Sequence, residues 1–169
     1  MSAIDTILKN AVMKGIVTAS INMSDIESVG AELKELIRKK FSRSFNIREV
    51  DTGSCGACEA EIIAANNPIY DVSRFGVNFV ASPRHADALL VTGPVSKNMV
   101  LALKKTYDAM PTPKFVIACG NCALDGWYFK DSYYTEGGVS KVLPVDVYIP
   151  GCPPKPADIV KALVGLLKK

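Results

Sequence analysis

Apolar residues recur along this chain at two different spacings, and the change from one to the other marks out its elements. Ile4, Ile7, Leu8, Ala11, Val12 and Ile16 fall on one face of a helix, with Asp5, Lys9 and Lys14 around the rest of the turn. Such a short amphipathic helix suits either a partner's surface or the protein's own core. A second helix is expected from Ser24 or Asp25, either of which suits an N-cap, through Ile26, Val29, Leu33, Leu36 and Ile37 to Arg38-Lys39-Lys40. Basic side chains complement the carbonyl groups at a helix C-terminus, so that run needs no functional explanation.

From residue 45 onward the spacing alternates. Short apolar runs predict strands over 45–50, 77–81, 88–92, 115–118 and 145–149. Helices are expected over 57–65, 96–109 and 156–167, the last with Pro156 in its first turn. Apolar strands separated by helices are the pattern of a parallel sheet covered on both faces, a doubly wound α/β fold. We expect one such domain over 45–169, preceded by a helical extension over 1–44. No internal repeat is present. The longest irregular segment, 125–141, is rich in Tyr, Gly and Ser, and irregular segments of that length generally serve a function or lie under a partner.

Composition narrows the class. A chain of 169 residues, 49% of them hydrophobic, buries a sizeable core without disulfides. Its net charge of +3 is spread along the chain, too weakly clustered for nucleic acid. No stretch approaches the roughly 18 to 20 apolar residues that span a bilayer, and the N-terminus lacks the pattern of a secretory signal. A cytoplasmic setting is therefore expected. There, five cysteines are more naturally metal ligands or reactive thiols than a disulfide framework, and the odd number leaves one over.

The positions of those cysteines carry the chemistry. Cys55 and Cys58 follow the first expected strand in Gly53-Ser54-Cys55-Gly56-Ala57-Cys58-Glu59; Cys119 and Cys122 follow the fourth, and Cys152 the fifth, in Pro150-Gly151-Cys152-Pro153-Pro154. The two prolines there are expected to hold the chain extended. In doubly wound sheets ligands collect beyond the carboxyl ends of the strands, so all the candidates converge on one edge. Two C-x-x-C pairs, 55/58 and 119/122, form a zinc motif on paper, but about 60 residues separate them, against 15 to 20 in a zinc ribbon. The strand order favours Cys55, Cys58, Cys122 and Cys152 instead. Four thiolates suit an iron–sulfur core, with structural zinc and a thiol redox pair as the alternatives. The whole points to an electron carrier more than to an enzyme with a substrate pocket of its own.

A set of motifs sharpens this. Gly53-Ser54-Cys55-Gly56-Ala57-Cys58-Glu59-Ala60-Glu61, Ser82-Pro83-Arg84-His85-Ala86-Asp87, Gly120-Asn121-Cys122-Ala123 and the run from Pro144 to Pro154 around Cys152 together resemble the small subunit shared by respiratory complex I and the membrane-bound, energy-converting [NiFe] hydrogenases. The resemblance covers roughly residues 42–168. It implies a flavodoxin-like fold and one [4Fe-4S] cluster held by Cys55, Cys58, Cys122 and Cys152. The complex I members place two adjacent cysteines at the first motif; C-x-x-C followed by Glu, as here, is similar to the hydrogenase form. Implied partners are a nickel–iron large subunit, a ferredoxin-like iron–sulfur subunit and membrane subunits, with this chain peripheral on the cytoplasmic face. The chain departs from the family in two places: Gly126-Trp127 stands where a Gly-Gly pair is usual, and Cys119 is an extra thiol.

Other residues are read against that background. Glu61, one turn beyond Cys58, is expected on the cluster side as a proton acceptor or, equally, as a surface carboxylate. His85 is the only histidine and is expected to be structural; Arg84 is expected to bond a partner or a strand end. Trp127, Tyr128, Phe129, Tyr133 and Tyr134 are expected to form a subunit interface.

Overall fold

Strands β1 (Phe45–Asp51), β2 (Val77–Phe79), β3 (Ala88–Thr92), β4 (Phe115–Cys119) and β5 (Val147–Ile149) form one sheet in the order β2-β1-β3-β4-β5, with every neighbouring pair parallel. This is the flavodoxin-like order. The computed structural model describes residues 23–168, so the amphipathic helix expected over residues 4–16 lies outside the described residues. The helices are α1 (Met23–Phe41), α2 (Ala57–Ala65), α3 (Val100–Asp108), α4 (Asn121–Asp125) and α5 (Pro156–Lys168).

The alternation of side chains along the strands divides the core in two. Ala88 and Leu90 of β3 face the same way as Ile117 and Cys119 of β4, under α1, α2 and α5, where Leu33, Ile37, Ile62, Ile159 and Leu163 are buried. Leu89, Val91, Val116 and Ala118 face the other layer, with Leu103 of α3 and Val139 and Leu143. All five residues of β3 are buried, as a central parallel strand requires. The helix α1 belongs to this core through Leu33 and Ile37, with the ion pairs Arg74–Glu27 and Lys168–Glu32 at 2.7 Å along its rim.

The structure differs from the sequence expectations in four places. Helix α1 already includes Met23, the first described residue, so Ser24 and Asp25 lie inside the helix and not before it. Helix α3 starts at Val100 because the preceding segment is tied back to β1. Thr52 Oγ1 donates to the Thr92 carbonyl (2.6 Å) and accepts from Val95 N (3.2 Å), and Ser96 N donates to the Thr52 carbonyl (2.8 Å). Edge strands β2 and β5 each have a single neighbour and are three residues long. Finally, the chain bends over residues 151–153, with a cis Cys152–Pro153 peptide, where the prolines suggested an extended run.

At the amino ends of the strands an ion pair fastens the approach to β1. Arg43 Nη1 and Nη2 donate to the Asp87 carboxylate at 2.8 and 2.6 Å, and Asn46 N donates to the same group at 2.9 Å. The Asp87 side chain is 6% exposed, so its removal leaves a backbone donor buried without its partner. Asp87→Ala is expected to lower the unfolding free energy by about 3 kcal/mol, read from denaturant titration.

Candidate functional site

Because the strands run parallel, the loops leaving β1, β3, β4 and β5 emerge on one edge of the sheet. Each is shaped by short-range polar contacts. After β1, Asp51 Oδ1 accepts from Gly53 N (2.8 Å) and Ser54 N (2.7 Å), and Ser54 Oγ accepts from Gly56 N (3.0 Å). The loop is thereby wound tightly before α2, leaving Cys55 exposed and Cys58 half-buried in the first helical turn. After β4, Asn121 joins two loops: its N–H donates to the Gly151 carbonyl (2.8 Å) while its Oδ1 accepts from Gly151 N (2.9 Å). Gly120 N also donates to the Ile149 carbonyl (2.8 Å). The loops carrying Cys122 and Cys152 are thus locked to each other.

Two glycines make the close approach possible. A Cβ on Gly120 (φ +89°) would stand 2.7 Å from Cys58 Sγ, and one on Gly93 (φ +82°) would stand 2.8 Å from Ser54 N. Both positions combine a left-handed backbone with backbone-to-neighbour contact that excludes a side chain.

The result is one pocket lined by Cys55, Cys58, Cys122 and Cys152, with Pro94 and Phe129 among its apolar walls. No residue lining it is cationic. Burial, and then the charges of Cys152, Cys55 and Cys58, push the Cys122 thiol above its ordinary range. The other three sulfurs are therefore near enough for their charge to act on Cys122. Among the described residues, no three His, Cys, Asp or Glu side chains stand close enough to hold a single metal ion. Four soft donors spread around a pocket, with no positive side chain among them, fit an iron–sulfur group.

Cys119 lies apart from these four. It is fully buried as the last residue of β4, packs against Cys58 and does not line the pocket. A hydrogen bond with Cys119 lowers the Cys58 thiol, and the same bond, together with burial, raises that of Cys119.

The acidic residue singled out in the sequence is Glu61, whose charge reaches Cys58 without lining the pocket. The structure adds two others, Glu49 and Glu59, which line a neighbouring groove with Arg48 and Ile63. Both carboxylate oxygens of Glu59 are buried without a hydrogen-bond partner. Nothing singled out Glu49 in a strand that also carries Asn46, Arg48 and Asp51, and Glu59 was noted only as the Glu that follows C-x-x-C. Asp51, Ser54 and Asn121 were also missed, although such residues next to strand ends commonly close Asx and hydroxyl turns. Arg84 and His85 sit at the opposite end of the sheet, just before β3, where the His85 carbonyl accepts from Asn46 Nδ2 (3.1 Å). They stand with Arg43 and Pro111 around a separate shallow depression.

Residues 55–166 match the family described as NADH ubiquinone oxidoreductase, 20 Kd subunit. The chain belongs to that family. It is 47% identical over 131 residues to a probable membrane-bound hydrogenase subunit of Pyrococcus furiosus, covering 78% of each chain. It is also 47% identical over 119 residues to a subunit of the NADH-quinone oxidoreductase of Clostridium beijerinckii, covering 70% of each. Among solved structures it is similar to a chain of the membrane-bound sulfane sulfur reductase, an archaeal respiratory membrane complex. That match has a TM-score of 0.67 and 33% identity over 81% of this chain and 74% of the other. Members of the 20 kDa-subunit family are parts of oxidoreductase complexes, and the relatives of this chain are subunits of multisubunit membrane-bound hydrogenases and complex I-like assemblies. Among the described residues no helix is long and apolar enough to cross a membrane.

The usual Gly-Gly of the family also makes sense of the pair Gly126-Trp127. Both residues have left-handed backbone, φ +90° and +43°, which two glycines adopt without strain and a tryptophan does not. Trp127 is 44% exposed and its ring meets that of Tyr128, so partial burial offsets part of the strain. Relief of the left-handed backbone and loss of packing act in opposite directions, so Trp127→Gly is expected to change stability by no more than about 1 kcal/mol, read from thermal or denaturant unfolding. A second expectation concerns Glu49. Burial, then the charge of Glu59, raises its pKa, while the bond from Thr92 Oγ1 (3.3 Å) opposes the rise. The charged form is thus disfavoured on folding, and that penalty is present above the folded-state pKa and relieved by protonation below it. Glu49→Gln should stabilise the protein at pH 7, and the gain should vanish as the pH falls below the ordinary glutamate value of 4.5. Denaturant midpoints compared at both pH values check it.

Proposed function

We propose that this chain is the electron-transfer subunit of a membrane-bound, multisubunit [NiFe] hydrogenase, holding one [4Fe-4S] cluster on Cys55, Cys58, Cys122 and Cys152. In this reading it stands between a ferredoxin-like iron–sulfur subunit and the nickel–iron site of a large subunit. Membrane subunits hold it peripherally at the cytoplasmic face. The cluster domain in this reading spans residues 45–169, and α1 packs into its core through Leu33 and Ile37. The observation that carries the reading is the single pocket lined by four thiols and by no cationic side chain. The hydrogenase relative and the C-x-x-C-Glu form of the first motif support the choice of complex.

Such a cluster, when bound, supplies one-electron transfer. The remaining work falls to the chain. The four sulfurs anchor the group, and Asp51, Ser54 and Asn121 hold their loops in place. Pro94 and Phe129 keep water from one side. With four of the five cysteines engaged, Cys119 is too little for a second multinuclear site, so the reacting metal belongs to a partner. The aromatic segment provides the contact with that partner: Tyr128 and Tyr133 are 84% and 88% exposed, and Phe129 reaches from the same segment to the pocket. The segment is braced by Lys97 N donating to the Tyr134 carbonyl (2.9 Å) and by the Asn98–Tyr134 side-chain bond.

The similarity to the sulfane sulfur reductase chain favours a second reading, in which the same chain serves a complex I-like quinone- or sulfur-reducing assembly without nickel. The two readings differ only in the partner. Iron and nickel counts and low-temperature EPR on the intact complex separate them. Nickel is expected together with a four-iron signal, and hydrogen evolution without nickel would contradict the hydrogenase. Cys152→Ser is expected to lose or damage that signal and Cys119→Ser to keep it. The reverse pattern contradicts the ligand set, and a colourless protein with one zinc and no iron would replace the electron carrier by a zinc-stabilised interaction module.

A further inference from the structure

The end of the sheet opposite the cysteine pocket carries a second cluster of chemistry. Arg43, Asn46, Arg84, His85 and Pro111 surround an open depression of about 280 Å³, and no acidic residue lines it. It lies at the amino ends of β1 and β3, so the length of the strands separates it from the loops that carry Cys55, Cys58, Cys122 and Cys152.

Its three basic side chains are held in different ways. Arg43 is fixed, with Nη1 donating to the Ser44 carbonyl (3.0 Å) and both terminal nitrogens donating to the Asp87 carboxylate (2.8 and 2.6 Å). Its side chain is still 55% exposed, and the Nε–H and one hydrogen of Nη2 stay free. Arg84 and His85 are presented by a tight turn that opens with Pro83: Ser82 Oγ accepts from Arg84 N (3.4 Å) and the Ser82 carbonyl accepts from His85 N (3.2 Å). These bonds engage only the backbone of Arg84 and His85. Both residues are exposed, and among the described residues neither side chain has a hydrogen-bond or ion-pair partner. Arg84 therefore bonds no strand end, one of the two roles expected for it. Asp87 balances Arg43, so Arg84 supplies the net charge of the depression and His85 a further N–H donor. Exposed Arg38, Lys39 and Lys40 in the last turn of α1, which ends two positions before Arg43, extend the positive field.

We propose that this depression is the docking site for an acidic segment of a neighbouring subunit, with an Asp or Glu carboxylate of that segment taken by Arg84 and His85 beside the fixed guanidinium of Arg43. A planar guanidinium offers parallel N–H donors that match a carboxylate, as Arg43 already does with Asp87. Arg43 and the Ser82 turn are set before binding, which lowers the cost of ordering the site. The open form of the depression suits a protein surface more than an enclosed small molecule, and the relatives of this chain are subunits of multisubunit complexes. The inference goes beyond the electron-transfer reading and does not depend on the cluster.

The test uses the intact complex. Arg84→Lys puts an amine where a carbodiimide can join it to a touching carboxylate, and peptide mass spectrometry identifies the residue joined. An amide from position 84 to an Asp or Glu of another subunit is expected. In Arg84→Glu the fraction of that subunit retained on this chain through a fixed salt wash should fall roughly tenfold. Because Arg84 is exposed and unpaired, both variants should keep the wild-type unfolding midpoint. Amides from position 84 to this chain's own carboxylates alone, or none at all, overturn the inference, as does unchanged retention in Arg84→Glu. Flotation of the full chain with phosphatidylglycerol vesicles that Arg84→Glu abolishes, without an amide to another subunit, overturns it in favour of a lipid phosphate. The four-iron EPR signal should be the same in both variants as in the wild type; its absence from the wild type overturns the electron-transfer reading and leaves this inference standing.

Discussion

The parallel direction of the strands is the constraint on which the site depends. It sends the loops after β1, β3, β4 and β5 to one edge of the sheet, and it brings cysteines nearly a hundred positions apart in the chain around one pocket. Direction alone leaves the loops side by side. Thr52 then ties the first loop to the second, and Asn121 ties the third to the fourth. Gly93 and Gly120 remove the side chains that would hold them apart. The pocket is a consequence of these backbone contacts, each supplied by a small polar residue or a glycine.

Electrostatics complete the site. No cationic side chain lines the pocket, and burial, followed by the charges of its three neighbours, pushes the Cys122 thiol up. The positive charge of the proposed iron–sulfur group would offset that push. Glu49 and Glu59 line the neighbouring groove behind the first motif, where both carboxylate oxygens of Glu59 are buried without a hydrogen-bond partner.

Much of this was legible in the residues. The run Ala-Leu-Leu-Val-Thr reads as a buried strand and is one over the same five positions, 88–92; the helix over 57–65 has the same ends in the structure. Placing the cysteines at strand ends was enough to bring them to one edge. The rest depends on contacts that no local pattern carries. Helix α4, with five residues, is too short to show a helical period. The late start of α3 follows from Thr52, more than 40 positions away. The place of Cys119 in the wall depends on the packing of β4 against α2, and the strain at Trp127 depends on a backbone angle.

Membership of the 20 kDa-subunit family places this chain among components of respiratory and hydrogenase complexes, and the proposed cluster gives it a task there. Anomalous scattering at the iron edge from crystals of the intact complex tests that claim most directly. The account predicts one four-iron peak within bonding distance of the sulfurs of Cys55, Cys58, Cys122 and Cys152, with Cys119 behind Cys58 and unbound. A peak at the zinc edge in that place, or iron bonded to Cys119 with Cys152 left outside, would contradict it.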